Sequence, residues 1–182
     1  MGLPQINIEF MGKAVSAVQR SARGIVALIL KDDTGSFDVK EYKGIDEILS
    51  ADWTATNKDY IELAFMGTPS KVICIRIDTT AVDYSEALQM LGFMKFNYLA
   101  IPEIESADVT SIVTWIKGKR TNDKKTHKAV LPNASTGDDE GIINLTTENI
   151  KVGEKTYTTA EYTARIAGIL AGLPFTRSAT YY

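Results

Sequence analysis

Residues 71–133 read KVICIRIDTTAVDYSEALQMLGFMKFNYLAIPEIESADVTSIVTWIKGKRTNDKKTHKAVLPN. Three short apolar runs, at 72–77, 98–101 and 128–131, alternate here with two amphipathic segments, at 84–96 and 107–120. Short β-branched runs separated by periodic segments of helix length are typical of a parallel sheet with crossover helices. The stretch therefore predicts the β-α-β-α-β core of an α/β fold, and both crossovers are long enough to join parallel neighbouring strands.

The spacing of apolar side chains in the two amphipathic segments predicts which helix faces are buried. In 107–120 the apolar stripe consists of Val109, Ile112, Val113 and Ile116. In 84–96 it consists of Ala87, Leu88, Leu91 and Met94. Ser106 is predicted to cap the later helix, and Asp83 with Glu86 has the spacing of a capping box for the earlier one.

Residues 24–70 are predicted to add a hairpin and short helices to the same sheet. Residues 25–30 are an apolar run, residues 32–35 have the composition of a turn, and residues 37–42 alternate like a half-exposed return strand. Helices are predicted at 45–49 and 57–66, and Gly67 ends the second one. Trp53 and Phe65 are assigned to the packing between these elements.

The residues after 131 predict an exposed loop, three strands and a last helix. The loop is 132–141, the next strand is 142–145, and strands 150–152 and 155–157 flank a turn at Gly153-Glu154. Thr158 with Glu161 is a capping box that starts a helix running to about Ala171. Its small residues allow another backbone to approach closely; they are Ala164, Ala167, Gly168, Ala171 and Gly172.

The first ten residues contain an isolated strand pattern. Residues 5–10 alternate polar and apolar side chains, which places Ile6, Ile8 and Phe10 on one face. A strand without a nearby hairpin partner pairs with a distant strand or with another molecule. A frayed terminus and a strand added to the chain's own sheet are the alternatives.

Composition narrows the class of protein. Of 182 residues, 45% are apolar and 24% are charged, as in an ordinary globular protein. A net charge of -3 argues against a general nucleic-acid binder, and no apolar run approaches the length of a membrane span. The single cysteine, Cys74, excludes an internal disulfide, and its position in an apolar run predicts a buried thiol.

Catalytic motifs are missing from the sequence. It contains no phosphate-binding glycine loop, no G-x-S-x-G elbow, no H-E-x-x-H motif and no pair of CxxC motifs. The single histidine, His127, lies beside a lysine-rich strand start and is predicted to be a surface or strand-edge residue.

Acidic residues at strand ends supply the enzymatic alternative. Ligands of open α/β sheets bind outside the carboxyl ends of the strands. The polar residues predicted there are Asp78, Glu103, Glu105, Asn133, Asp138 and Asp139. A metal-dependent phosphoesterase could hold Mg²⁺ with Asp78, Glu103 and Asp138. A small-ligand binding module of doubly wound type is a third reading, which requires a pocket.

Two runs of the sequence resemble the contractile tail sheath proteins of Gram-positive phages, defective prophages and phage-tail-like bacteriocins. Residues 12–32, GKAVSAVQRSARGIVALILKD, resemble the start of such proteins. Residues 167–174, AGILAGLP, followed by Thr176-Arg177-Ser178, resemble the family's central region. The resemblance extends from about Pro4 to Tyr182, and it identifies the chain as the N-terminal portion of a sheath protein.

This resemblance implies a structural subunit with no active site and no cofactor. Sheath subunits polymerise around a tail tube and contract to drive the tube through a cell envelope. Extended arms add strands to the sheets of neighbouring subunits, a role that would suit Ile6, Ile8 and Phe10. The implied partners are further copies of the chain, the tail tube protein, and baseplate and tail terminator proteins, with neither nucleic acid nor membrane insertion. Assembly would occur in the bacterial cytoplasm, and the sheath would leave in the virion or tail-like particle.

The sequence and the resemblance together predict three segments. Residues 1–23 are an extended arm, residues 24–70 are the hairpin and short helices, and residues 71–182 are the α/β sheath core. We refer to residues 24–182 as the α/β body. Because family members continue past Tyr182, the core is expected to be C-terminally truncated.

Overall fold

A six-stranded mixed sheet organises the computed structural model, which describes residues 23–174 and 176–181. Its strands are β1 (Ile25–Lys31), β2 (Val39–Tyr42), β3 (Lys71–Ile77), β4 (Tyr98–Ala100), β5 (Lys128–Pro132) and β6 (Ile142–Leu145). A separate antiparallel pair is formed by β7 (Ile150–Val152) and β8 (Lys155–Tyr157). The helices are α1 (Ala55–Phe65), α2 (Ser85–Gly92), α3 (Val109–Thr121) and α4 (Thr159–Gly172), with short 3-10 turns at Ile45–Glu47 and Ala179–Tyr181.

The order of strands in the sheet is β2-β3-β1-β4-β5-β6. All pairings are parallel except that of β2 with β3. The five residues from Val26 to Leu30 are all buried, because β1 is covered on both faces and flanked on both sides. A continuous apolar run of this kind is what a central parallel strand requires. The predicted α/β class is confirmed.

The predicted hairpin of residues 25–42 is wrong in its pairing. Strand β2 pairs with β3, where Tyr42 lies opposite Val72, and it does not pair with β1. Charge explains the difference, since Lys40 and Glu41 suit an edge strand and could not lie beside β1 at the centre. The sheet therefore places β3 between the two strands that the sequence pattern had joined.

Strands β3 and β4 are also not the neighbours that the pattern of residues 71–133 predicts. Strand β1 lies between them, so the crossover through α2 spans one intervening strand. The crossover through α3 does join neighbours, because β4 pairs with β5.

Helices cover both faces of the sheet and define two apolar cores. On one face, α2 and α3 pack against β1, β3, β4 and β5 through the predicted stripes. Val109, Ile112, Val113 and Ile116 are all buried there, as predicted. On the other face, α1 and α4 pack around Trp53, Tyr60 and Ala167. Trp53 and Phe65 are core residues, as predicted.

The helix starts agree with the sequence at one of three predicted caps. The capping box of α4 is present, with Thr158 Oγ1 accepting from Glu161 N and Glu161 accepting from Thr158 N. Helix α2 lacks the predicted box, because Asp83 accepts from Ser85 N in a local turn. Helix α3 begins after Asp108 instead of Ser106.

Helices α1 and α4 meet at backbone contact. The carbonyl group of Ala64 lies against Gly168, and the carbonyl group of Gly67 lies against Gly172. A Cβ atom built on either Gly168 or Gly172 would overlap with those carbonyl atoms. This confirms the close approach that the small residues of α4 predict, and it fixes α1 against α4.

Candidate functional site

The five parallel strands all point the same way, so the sheet has two different ends. We call the end where these strands finish the carboxyl end and the end where they begin the amino end. The predicted acidic residues lie at the carboxyl end, after β3, β4 and β5. Asp78, Glu103 and Asp138 are all exposed there. Among the residues that the structure describes, no group of three or more His, Cys, Asp or Glu side chains could hold a metal ion. The structure therefore does not bring Asp78, Glu103 and Asp138 together into a metal-binding group.

Local contacts within the loops give a structural role to two of the acidic side chains at this end, Asp78 and Asp139. Asp78 accepts from the Thr80 amide at 2.7 Å and from its hydroxyl at 2.5 Å, and these bonds lower the pKa of Asp78. Asp139 lies 3.5 Å from Arg120 Nε and accepts from Gly141 N. Both side chains shape the loops at the ends of strands, which is the structural use of acidic residues in turns.

The sequence pattern missed the most strongly bonded carboxylate at this end. Asp32 follows β1, is only 2% exposed, and accepts four hydrogen bonds. The donors are Thr34 N, Thr54 N, Thr54 Oγ1 and Asn57 Nδ2, at 2.7 to 2.9 Å. Burial raises the pKa of Asp32, but bonds from Asn57, Thr54 and Thr34 outweigh it and lower the pKa to about 2. Asp32 therefore ties the start of α1 to the end of β1.

A pocket of about 360 Å³ lies at the carboxyl end between the starts of α3 and α4. Its lining includes Val109, Asn133 and Thr159. The Thr159 hydroxyl donates to the Thr147 carbonyl, and the Thr158 hydroxyl is engaged in the cap of α4. Both hydroxyls already make hydrogen bonds within the fold. The pocket therefore gives little support to the interpretation as a small-ligand binding module.

His127 is buried, which corrects the predicted surface or strand-edge position. Its side chain packs against Phe96, with ring centroids 3.9 Å apart, and near Trp115. It is 3% exposed, and Nδ1 has no hydrogen-bond partner among the described residues. Burial, aided by repulsion from Lys125 and Lys119, lowers the pKa of His127 from 6.5 to about 4.

Acidification is expected to destabilise the protein through His127. The folded pKa lies below the value of 6.5 for an unperturbed side chain, so the unfolded chain binds the proton more readily. The stabilisation is complete above pH 6.5 and is lost as the pH falls toward 4. Urea unfolding at neutral pH and near pH 4.5 should show a loss about 2 kcal/mol larger for the natural protein than for His127→Phe. Equal losses for the two proteins would contradict the assignment.

The first described residues, Arg23 and Gly24, lie at the amino end of the sheet. Gly24 N donates to the Ala171 carbonyl at 2.6 Å, so the start of β1 lies beside the end of α4. A groove of about 350 Å³ surrounds this junction and includes Arg23, Lys95 and Leu173. The predicted arm residues Ile6, Ile8 and Phe10 lie outside the described residues, so their pairing stays a prediction.

The two edge strands of the sheet differ in charge. Strand β2 carries Lys40 and Glu41, and Lys40 Nζ lies 2.5 Å from Asp52 Oδ2. Within the described part of the chain, β6 pairs with β5 alone, and its sequence, Ile-Ile-Asn-Leu, is uncharged. Charges protect an edge from adding further strands, and β6 lacks them.

A further feature that the sequence pattern missed is a set of exposed large apolar side chains. Val82 is 93% exposed and Phe93 is 89% exposed, one before and one after α2. Leu49 is 59% exposed and Ile45 is 47% exposed, on either side of the buried Ile48. Helical periodicity places Phe93 outside the stripe of α2, which is the signal that could have identified it. None of the helices in residues 23–174 and 176–181 has the length and apolar character needed to cross a membrane.

The chain is similar to known proteins of one family. The family model described as the phage tail sheath protein central domain matches residues 78–182. The tail sheath protein of Clostridium phage phiCD119 is 44% identical over 191 residues, and the match covers 99% of this chain and 51% of the phage protein. The chain thus spans about half the length of that relative.

Solved structures with the same fold are also sheath tail proteins. The crystal structure of the sheath tail protein from Desulfitobacterium hafniense matches with a TM-score of 0.70 at 15% identity, covering 82% of this chain and 59% of that one. The sheath tail protein from Listeria innocua matches with a TM-score of 0.71 at 15% identity, covering 88% and 61%. At this identity the two structures establish a shared fold.

Proposed function

Because this chain belongs to the phage tail sheath protein family, we propose that it is a structural subunit of a contractile tail sheath. In this proposal the subunits polymerise around a tail tube, and contraction of the sheath drives the tube through a cell envelope. The observation that carries the proposal is the 44% identity to a phage tail sheath protein over 99% of the chain. The role is structural and not enzymatic.

We assign the first 23 residues to a linking arm and residues 24–182 to the α/β body. Ile6, Ile8 and Phe10 would form the apolar face of a strand that is added to a neighbouring subunit. The position of Arg23 and Gly24 supports this assignment, because the arm meets the body at the end of the sheet and not within a core. Strand addition gives affinity through backbone hydrogen bonds and specificity through alternate side chains.

The partners follow from the same proposal. Other copies of the chain would form rings or helical strands, the tail tube protein would lie inside them, and baseplate and tail terminator proteins would meet the two ends. Assembly would take place in the bacterial cytoplasm, and the finished sheath would be released within the virion or tail-like particle. A heterologous contact repeated along an axis builds such open-ended tubes.

Deletion of residues 1–12 from the complete sheath protein is expected to abolish tubes and leave a folded monomer. The two cores described above are built from residues after Gly24, so removal of the proposed arm should cost contacts between subunits and not core packing. Negative-stain electron microscopy with light scattering measures the result. Tubes that persist after the deletion would overturn the arm assignment.

The alternation of the strand supplies a matched control. Replacing Ile6, Ile8 and Phe10 by aspartate should abolish tubes as the deletion does, since the alternation predicts that these side chains share one face of the strand. Replacing Gln5, Asn7 and Glu9 by alanine changes the opposite face and should leave tubes intact. Equal effects of the two triple substitutions would argue against strand addition.

A further inference from the structure

Two exposed apolar patches lie on opposite faces of the sheet. Helix α2 packs on one face and ends at Gly92, so Phe93 lies in the short connection that leads to β4. Strand β2 runs antiparallel and ends at Tyr42, and residues 45–49 lead from there back toward the start of α1, where Lys58 Nζ lies 3.3 Å from Ser50 Oγ. Ile48 packs into the core of the other face, which places its exposed neighbours on that side.

We call Phe93 with Lys95 the aromatic patch, and Ile45, Asp46, Glu47 and Leu49 the acidic patch. All six side chains are exposed. Phe93, at 89% exposed, contributes almost nothing to its own core. Large aromatic side chains in this position mark contact surfaces more often than isolated small apolar residues do.

The charges of the two patches are complementary. Lys95 follows Phe93 by two residues and lines the groove at the amino end together with Arg23. Asp46 and Glu47 carry negative charge between Ile45 and Leu49, and Lys43 leaves this segment acidic by one charge. An apolar centre with opposite charges at its rim gives both affinity and a fixed orientation.

We propose that the aromatic patch of one copy packs against the acidic patch of a second copy. The inference rests on the proposed sheath function and names a contact between subunits that the arm does not make. Because the two patches differ and lie on opposite faces, each copy can contact one neighbour through each patch. Such a contact is heterologous, and its repetition builds a ring or a helical strand.

Two variants, each with one added cysteine, test the contact directly in the 182-residue chain. Phe93→Cys and Leu49→Cys place thiols on the two patches, while Cys74 is buried and burial raises its pKa well above the ordinary value. After mild oxidation, the mixture of the two variants should give at least about tenfold more disulfide dimer than either variant alone. Dimers that form equally within each variant, or no dimers in the mixture, would overturn the proposal.

Tube formation by the complete protein separates this inference from the function on which it rests. Phe93→Ser should abolish tubes or raise the concentration needed for assembly about tenfold, as expected for a central aromatic contact. Val82→Ser, which changes an equally exposed residue at the other end of α2, should leave assembly unchanged. Tubes that survive Phe93→Ser but not deletion of residues 1–12 would overturn the inference and leave the sheath function in place.

A charge exchange completes the test. Lys95→Glu and Asp46→Lys should each weaken assembly, and the double variant should restore it, because the exchange recreates an opposite pair across the contact. Loss of assembly in the double variant equal to the sum of the single losses would show that the two residues do not face each other.

Discussion

Replacing Gly168 by alanine is expected to destabilise the protein by about 3 kcal/mol or more. The added methyl group would overlap with the Ala64 carbonyl group, and that carbonyl belongs to the backbone of α1 and cannot turn away. Relief requires α1 and α4 to separate, which opens the core around Ala64, Ala167 and Trp53. Chemical denaturation followed by circular dichroism measures the loss.

Gly118 in α3 provides the matched control. It lies inside a helix as Gly168 does, but a Cβ atom there would meet nothing within 4 Å. Gly118→Ala should therefore stabilise the protein by about 0.5 to 1 kcal/mol, since alanine favours helix more than glycine does. If both substitutions have the same sign, the close approach of α1 and α4 does not determine stability.

Replacing Asp32 by alanine is the second substitution with a large expected cost, about 3 kcal/mol at neutral pH. It would leave the donors of Thr34, Thr54 and Asn57 without their acceptor in a buried position. Thr54 caps α1, so the start of this helix would also lose its connection to β1. Urea unfolding at pH 7 measures the effect.

The neighbouring residue gives the control, and pH gives an independent check. Asp33 is exposed and, among the described residues, its side chain accepts hydrogen bonds from Thr79, so Asp33→Ala should cost less than about 1 kcal/mol. The folded pKa of Asp32, about 2, lies below the ordinary 3.8, so its charge stabilises the fold above pH 3.8. The advantage of the natural protein over Asp32→Ala should shrink as the pH falls from 3.8 toward 2. A difference that does not change over this range would contradict the role of the carboxylate charge.

Local periodicity predicted the elements of this fold but not their neighbours. The stripe of α3, the capping box of α4 and the turn between β7 and β8 depend on residues a few positions apart, so the sequence displays them directly. Pairing in the sheet depends on residues far apart, and strands that follow each other in the sequence were wrongly predicted to be neighbours in two cases. Strand β1 is joined to β2 by seven residues, at 32–38, yet it lies between β3 and β4.

The polar residues show the same limit. Asp32 looks like an ordinary turn residue, because its donors Thr54 and Asn57 come from 22 and 25 positions away. His127 follows four polar residues at 122–125 and Thr126, which indicated exposure, but Phe96 and Trp115 enclose its ring. Conversely, Asp78, Glu103 and Asp138 were assigned to the correct end of the sheet, and side-chain placement decided that they do not form one metal-binding group.

The junction of Gly24 with Ala171 has a mechanical consequence. Tension applied to the chain before Arg23 and after Leu173 would enter and leave the body at neighbouring points, where Gly24 N donates to the Ala171 carbonyl at 2.6 Å and Ser70 N donates to the Gly24 carbonyl at 2.9 Å. The load would thus bypass the sheet, whose strands would not be stretched from one end to the other. A subunit loaded in this way would move as a rigid body when its neighbours pull on it. Its fold would not be stretched.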